Sequence, residues 1–234
     1  MHYRLHMLHN IHMTSFVLKL IAALSMLLDH IGLILFPDLT IFRILGRLAC
    51  PIYAFCIAEG FRYTRDRRKY FLRIFILGLL CQIAYTIVDH QLYLGILITF
   101  SISILLMAAL DNAKTAQSDE KRKHAIAVFC AGVLCSFALT YFVAVDYGFF
   151  GIMLPICAYA FEDRWKRLAL FTACLIALAI AMAKALPVQY WSLAAVPLLA
   201  LYNGQPGRVR LKYFFYIFYP LHLAVLYGIS MLMG

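Results

Sequence analysis

The chain has 234 residues, 65% of them hydrophobic and 14% charged, with a mean hydropathy of +0.85. Soluble domains are about half apolar and a quarter charged, so a water-soluble globule is excluded, and the 18 Phe and 15 Tyr spread along apolar runs exclude a solvated, disordered chain. What is left is a polytopic membrane protein, and its net charge of +10 has to be explained within that class before nucleic acid is invoked as a partner.

The opening segment, residues 1–15, is polar and carries His2, His6, His9 and His12. No cysteine or carboxylate stands among these imidazoles, so the segment is expected to be a short cytoplasmic tail with no metal and no cleavable signal peptide. Apolar runs then cover residues 16–36, 41–60, 70–88, 92–110, 125–145, 168–185 and 213–233, each close to the roughly 20 residues that cross a bilayer. Two shorter runs, 148–161 and 190–202, reach only about 21 Å as helices, and they carry Pro155 and Pro197, which remove a backbone donor and kink a helix. The polar stretch 111–124, with Lys114, Ser118, Asp119 and Glu120, reads as a solvated hairpin between the fourth and fifth spans. The seven cysteines all fall in apolar runs without CxxC spacing and read as small packing residues. The expected fold is all-α: a polytopic transmembrane helix bundle forming one domain over residues 1–234, with about nine spans, or about eight if a short run does not cross.

Basic residues set the orientation, because Lys and Arg collect in short cytoplasmic loops. Arg62, Arg65, Arg67, Arg68, Lys69 and Arg73 follow the second span, and Lys114, Lys121, Arg122 and Lys123 the fourth. Arg164, Lys166 and Arg167 follow the sixth, and Arg208, Arg210 and Lys212 the eighth. The alternate loops, around Asp38, Asp89, Asp146 and residues 184–189, hold almost nothing basic. The amino terminus is therefore expected inside and the carboxy terminus outside. On this reading the charge is mainly a topology signal, the partner is a lipid bilayer, and no nucleic acid is expected.

Ionisable groups at membrane depth cost about 2.5 to 3.5 kcal/mol each even on lenient insertion scales, so each needs a partner or a task. The first span holds Lys19 near its inner end and Asp29 and His30 towards its outer end. The second enters with Arg43 and Arg47, one turn apart, and reaches Glu59 near the cytoplasm. Counting about 1.5 Å per residue along two antiparallel helices places Asp29, His30, Arg43 and Arg47 in one outer layer, with Lys19 and Glu59 roughly 15 to 18 Å below. Structural ion pairs, Asp29 with Arg47 and Lys19 with Glu59, account for the charges but leave unexplained why His30, of the one side-chain type whose unperturbed titration lies near neutral pH, stands beside them. His222, in YIFYPLHL (216–223), lies near mid-depth of the last span beside Tyr216, Tyr219 and Pro220. Three roles stay open for it: supporting His30, binding substrate, or capping the backbone that Pro220 frees.

The stretches KLIAALSMLLDHIG (19–32) and RILGRLACPIYAFCIAEGFRYTR (43–65), with the ending YIFYPLHL, strongly resemble the TraX family, the F-pilin acetylase family of conjugation systems. A basic residue, Lys19, eleven positions before His30, and the late Tyr-Pro-Leu-His222 are also similar to the acyltransferase 3 and heparan acetyltransferase membrane families. Those families have an arginine where Lys19 stands and their catalytic histidine where His30 stands. The resemblance implies a multi-pass enzyme of the bacterial inner membrane, an O- or N-acetyltransferase that takes acetyl from cytoplasmic acetyl-CoA. The acceptor it implies is an amine or hydroxyl, on a pilin peptide, a sugar, a lipid or a small amine. It further implies His30 as general base tuned by Asp29, and Arg43, Arg47, His222 and Tyr219 around the substrate or oxyanion. Lys19 and Glu59 would support the site, and Arg62, Arg65, Arg67 and Arg68 would take the CoA phosphates. A proton-coupled small-solute transporter and an assembly factor of a conjugation apparatus are the alternative readings.

Overall fold

The computed structural model of the chain describes residues 13–89, 93–207 and 212–233, apart from the side chains of 84, 85, 87–89, 212, 213 and 215. His2, His6, His9 and His12, residues 90–92, and Arg208 and Arg210 lie outside the described residues.

Apolar runs become helices in lipid because only a helix satisfies every backbone group within its own segment. In chain order these are α1 (Ser15–Ile34), α2 (Thr40–Gly46), α3 (Ala49–Tyr63), α4 (Arg67–Asp89), α5 (Ile96–Thr115), α6 (Asp119–Phe142), α7 (Gly148–Tyr159) and α8 (Arg164–Met182). A 3-10 stretch, Pro187–Ala194, then leads into α9 (Ala195–Ala200), and α10 (Lys212–Met233) closes the order. Among the described residues six helical segments are long and apolar enough to cross a membrane: Ser15–Ile34, Thr40–Tyr63, Ile96–Thr115, Asp119–Phe142, Arg164–Met182 and Tyr216–Met233. The chain is a multi-pass, helical membrane protein. Polar residues mark where the helices begin: Thr14 Oγ accepts from Val17 N at 3.3 Å, Ser118 Oγ from Lys121 N at 3.3 Å, and Asp163 Oδ1 from Lys166 N at 2.8 Å.

The structure departs from the sequence expectations at three places. The stretch 111–124 is the expected exposed hairpin, but its turn is shorter than its composition suggests: α5 runs to Thr115 and α6 starts at Asp119, and Asp111 sits on α5 with only 14% of its side chain exposed. Polar residues continue these helices past their apolar runs because long side chains reach the interface while the backbone stays hydrogen-bonded. The second span is interrupted at Arg47 and Leu48, between α2 and α3. Pro51 is the cause, since its missing N–H and its ring disturb the carbonyls three and four residues before it. Finally, the all-α architecture carries one short parallel ladder, β1 (Tyr93–Leu94) on β2 (Ala144–Val145), with Tyr93 opposite Ala144 and Leu94 opposite Val145. Asp146 extends it, its N–H donating to Leu94 O at 2.9 Å and its carboxylate accepting from Tyr93 OH at 2.8 Å.

The helices form two compact units. One comprises Met1–Tyr53 and Trp191–Gly234. In it α1 packs on α2 and on α10. The segment after α9 ties down the start of α1, with Ser15 N donating to Gln205 O at 2.8 Å and Asn203 N to Met13 O at 3.0 Å. Gly207, at φ 88°, passes so close to Thr14 and Phe16 that a side chain there would meet both. The other unit, Ala54–Tyr190, is built around α5, which packs on α4, α6 and α7, while α8 packs on α7. Its core holds the fully buried Phe61, Met107, Ile152, Leu154, Phe171 and Leu175. Pro155 sits inside α7, and Ser103 Oγ of α5 lies 2.7 Å from Ile152 O, supplying a donor where the proline disturbs the helix ladder.

Candidate functional site

In the first unit the hairpin of α1 and α2 is drawn tight by two glycines. A Cβ on Gly32 would come within 2.6 Å of Phe42 Cβ, and a Cβ on Gly46 would overlap the Asp29 carboxylate. That close approach brings Asp29 against both arginines of α2 and its end. Arg43 NH1 donates to Asp29 Oδ2 at 2.8 Å and to Asp29 O at 3.2 Å. Arg47 NH2 donates to Asp29 Oδ1, and its Nε donates to Arg43 O at 3.2 Å. The interruption at Arg47 turns its side chain inward, leaving it 3% exposed. One carboxylate thus bridges two guanidinium groups, and the trio keeps one net positive charge in a site where water screens poorly.

His30, the next residue on α1, faces α10 instead. His30 Nδ1 is 2.9 Å from His222 Nε2, and His222 Nδ1 is 2.7 Å from Phe218 O. A carbonyl only accepts, so His222 carries its proton on Nδ1. Its Nε2 is then the acceptor for His30 Nδ1–H, and in the neutral pair the lone pair of His30 stands on Nε2. Phe218 stacks on the His222 ring at 5.1 Å with 12° between planes, and Tyr219 meets it edge-on at 6.1 Å. His222 is 5% exposed, so its ring orientation is held by packing as well as by hydrogen bonds. Thus His222 caps a backbone carbonyl and touches His30 at once. Asp29 has both carboxylate oxygens on the arginines, while His30 donates its Nδ1–H to His222 Nε2.

The second unit holds a separate polar cluster. Glu59, expected to pair with Lys19, takes its ion pairs from Arg167 at 2.5 Å and Arg62 at 3.9 Å, while Lys19 lies half-buried on α1. Arg62 also binds Glu162 at 2.5 Å, and its NH2 donates to Tyr159 O at 3.1 Å and Phe161 O at 3.0 Å. Arg67 is paired with Asp111, which also accepts from Tyr159 OH, and Arg67 stacks over Phe61 at 4.6 Å. Arg65 and Arg68 are exposed. Of the four arginines expected at phosphates, two are therefore tied to carboxylates of this chain. The missed partners Asp111, Tyr159, Glu162 and Arg167 lie 44 to 108 residues away from the arginines or glutamate they meet, with no local spacing to announce them. Among the described residues no three His, Cys, Asp or Glu side chains gather as a metal site.

The family profile described as TraX protein matches residues 15–230, a stretch that contains both histidines and both clusters. The probable fimbrial assembly protein FimC of Dichelobacter nodosus, serogroup H1, is 27% identical over 258 residues, covering 96% of this chain and 99% of that protein. Protein TraX of Escherichia coli is 27% identical over 221 residues, covering 90% and 84% respectively. An uncharacterised protein of Rickettsia prowazekii is 45% identical over 75 residues, about a third of each chain, at 32% and 28%. No solved structure matches the chain.

Proposed function

The chain belongs to the TraX family, and from that premise and the paired histidines we propose that it is a membrane-embedded acetyltransferase of the bacterial inner membrane. The donor is acetyl-CoA, and the acceptor is an amine or hydroxyl. The name of the FimC relative, a probable fimbrial assembly protein, favours a fimbrial or pilin subunit as acceptor over an envelope sugar, lipid or small amine. In this reading the amino terminus and the basic loops face the cytoplasm, and the chain crosses the membrane about nine times.

The observation that carries the proposal is the contact of His30 Nδ1 with His222 Nε2 at 2.9 Å. It leaves His30 Nε2 as a base with a fixed direction, which is what general-base catalysis requires. His30 Nε2 takes the proton from the acceptor as the acceptor's nitrogen or oxygen bonds to the acetyl carbon. The C–S bond then breaks, and His30 returns the proton to the departing CoA sulfur. Negative charge on the carbonyl oxygen is stabilised by the surplus positive charge of Arg43 and Arg47, held in place by Asp29. His222 and Asp29 are positioning residues; Tyr219 lines the His222 side of the site.

The test is the full-length protein in proteoliposomes, supplied with acetyl-CoA carrying a labelled acetyl group. Thiol release with label recovered on an acceptor supports the proposal. Neither binding nor thiol release contradicts it, and uptake of a solute without thioester cleavage supports the transporter instead.

A further inference from the structure

At the carboxyl end of α7 two cations converge on one backbone carbonyl. Arg62 NH2 donates to Tyr159 O at 3.1 Å, and Lys114 Nζ to the same oxygen at 3.4 Å. Both lie against the Tyr159 ring, at 5.0 Å and 4.8 Å from its centroid. A helix end with unsatisfied carbonyls attracts positive charge, so this convergence is favoured locally. The two cations are held differently. Arg62 is anchored through NH2 by two carbonyls, and its buried Nε has no hydrogen-bond partner. Lys114 takes part in no ion pair among the described residues.

The exposed carboxylate at this pair of cations is that of Glu162, bound to Arg62 NH1 at 2.5 Å, while the buried Glu59 lies 3.9 Å from Arg62 Nε. Its side chain is 82% exposed, on the loop between α7 and α8. An acid so far into solvent is held weakly, because water competes for both partners. Arg67 differs: its carboxylate, Asp111, is largely buried and shared with Tyr159.

We propose that Arg62 and Lys114 form a phosphate-ester site at the end of α7, and that Glu162 occupies it as a stand-in that the phosphate displaces. Arg62 stays in position when Glu162 leaves, because its NH2 remains on Tyr159 O and Phe161 O. A phosphate brings more charge than one carboxylate and more acceptor oxygens, enough to engage Arg62 NH1 and the Lys114 ammonium together. The source is either the acyl-CoA donor or the headgroup of an anionic phospholipid. Only the first rests on the acetyltransferase reading.

The experiment titrates inorganic pyrophosphate into the full chain in phosphatidylcholine nanodiscs by calorimetry, at fixed low salt. Glu162→Gln is expected to bind about two- to fivefold more tightly than wild type, the worth of removing one exposed ion pair. Lys114→Gln, a change at an exposed position, is expected to bind several-fold more weakly. Pyrophosphate binding no tighter in Glu162→Gln, or unchanged in Lys114→Gln, overturns the proposal. Competition then separates the sources: acetyl-CoA displacing pyrophosphate assigns the site to the donor, and phosphatidylglycerol in the discs displacing it assigns the site to lipid. Acetyl-CoA turnover that persists while neither variant shifts binding sinks this site alone. Both variants shifting binding without any acetyl-CoA turnover sinks the acetyltransferase reading alone.

Discussion

Asp29 carries a heavy electrostatic duty, because one carboxylate faces two guanidinium groups inside an apolar helix hairpin. Its loss leaves like charges at close range in a poorly screened site, so Asp29→Asn is expected to destabilise by about 3 kcal/mol or more. That would register as a lowered thermal midpoint in detergent, with part of the loss recovered in Asp29→Asn combined with Arg43→Gln. A midpoint equal to wild type would mean that the arginines find another counter-charge. This cluster was legible from the chain alone, since residue counting along two antiparallel helices puts the three side chains in one layer. The same counting matched Lys19 to Glu59, whose ion pairs within its own unit are with Arg167 and Arg62. Depth is a necessary condition for contact, but Arg167, 108 residues away, reaches the same glutamate. The histidine pair was half legible: each imidazole stood out as an intramembrane titratable group, but their meeting is a tertiary fact across 192 residues.

At the scale of elements, apolar runs located the helices well and their ends poorly. Residues 70–88 and 168–185 became α4 and α8 with shifts of a few positions. The polar stretch around Lys114 is exposed, as its composition suggested, but its turn is short, since α5 continues through Asp111 to Thr115. The interruption at Arg47 was signalled by Pro51, four residues on, and it matters functionally because it aims Arg47 at Asp29. The α1–α2 hairpin depends on small residues where the helices meet. Gly46→Ala is expected to push into the Asp29 carboxylate and cost about 1 to 3 kcal/mol, as overpacking usually does. Urea denaturation in a fixed detergent would measure it, and an unchanged midpoint would show that the helices can separate freely. Gly228, with open space around it, is the control at which an alanine should be harmless.

For the molecule as a whole, the two units carry different chemistry. The one built from α1, α2 and α10 holds the imidazole pair and the bridged arginines, and the one built around α5 holds the dense network of basic residues. The charge asymmetry of the loops predicts which ends face the cytoplasm. In intact cells, with the native cysteines replaced, a membrane-impermeant thiol reagent should label Asp38→Cys and leave Gln117→Cys untouched until the membrane is opened. The reverse pattern would invert the topology and place the basic cluster outside, away from any cytoplasmic donor. The account's central claim is that His30 Nε2, set by His222, is the base that starts acyl transfer. It is tested most directly by the rate of CoA thiol release from acetyl-CoA in proteoliposomes with an amine acceptor, wild type beside His30→Gln. The account predicts a fall of about a hundredfold or more with acetyl-CoA binding retained. A His30→Gln protein that folds, binds acetyl-CoA and turns it over at the wild-type rate would contradict it.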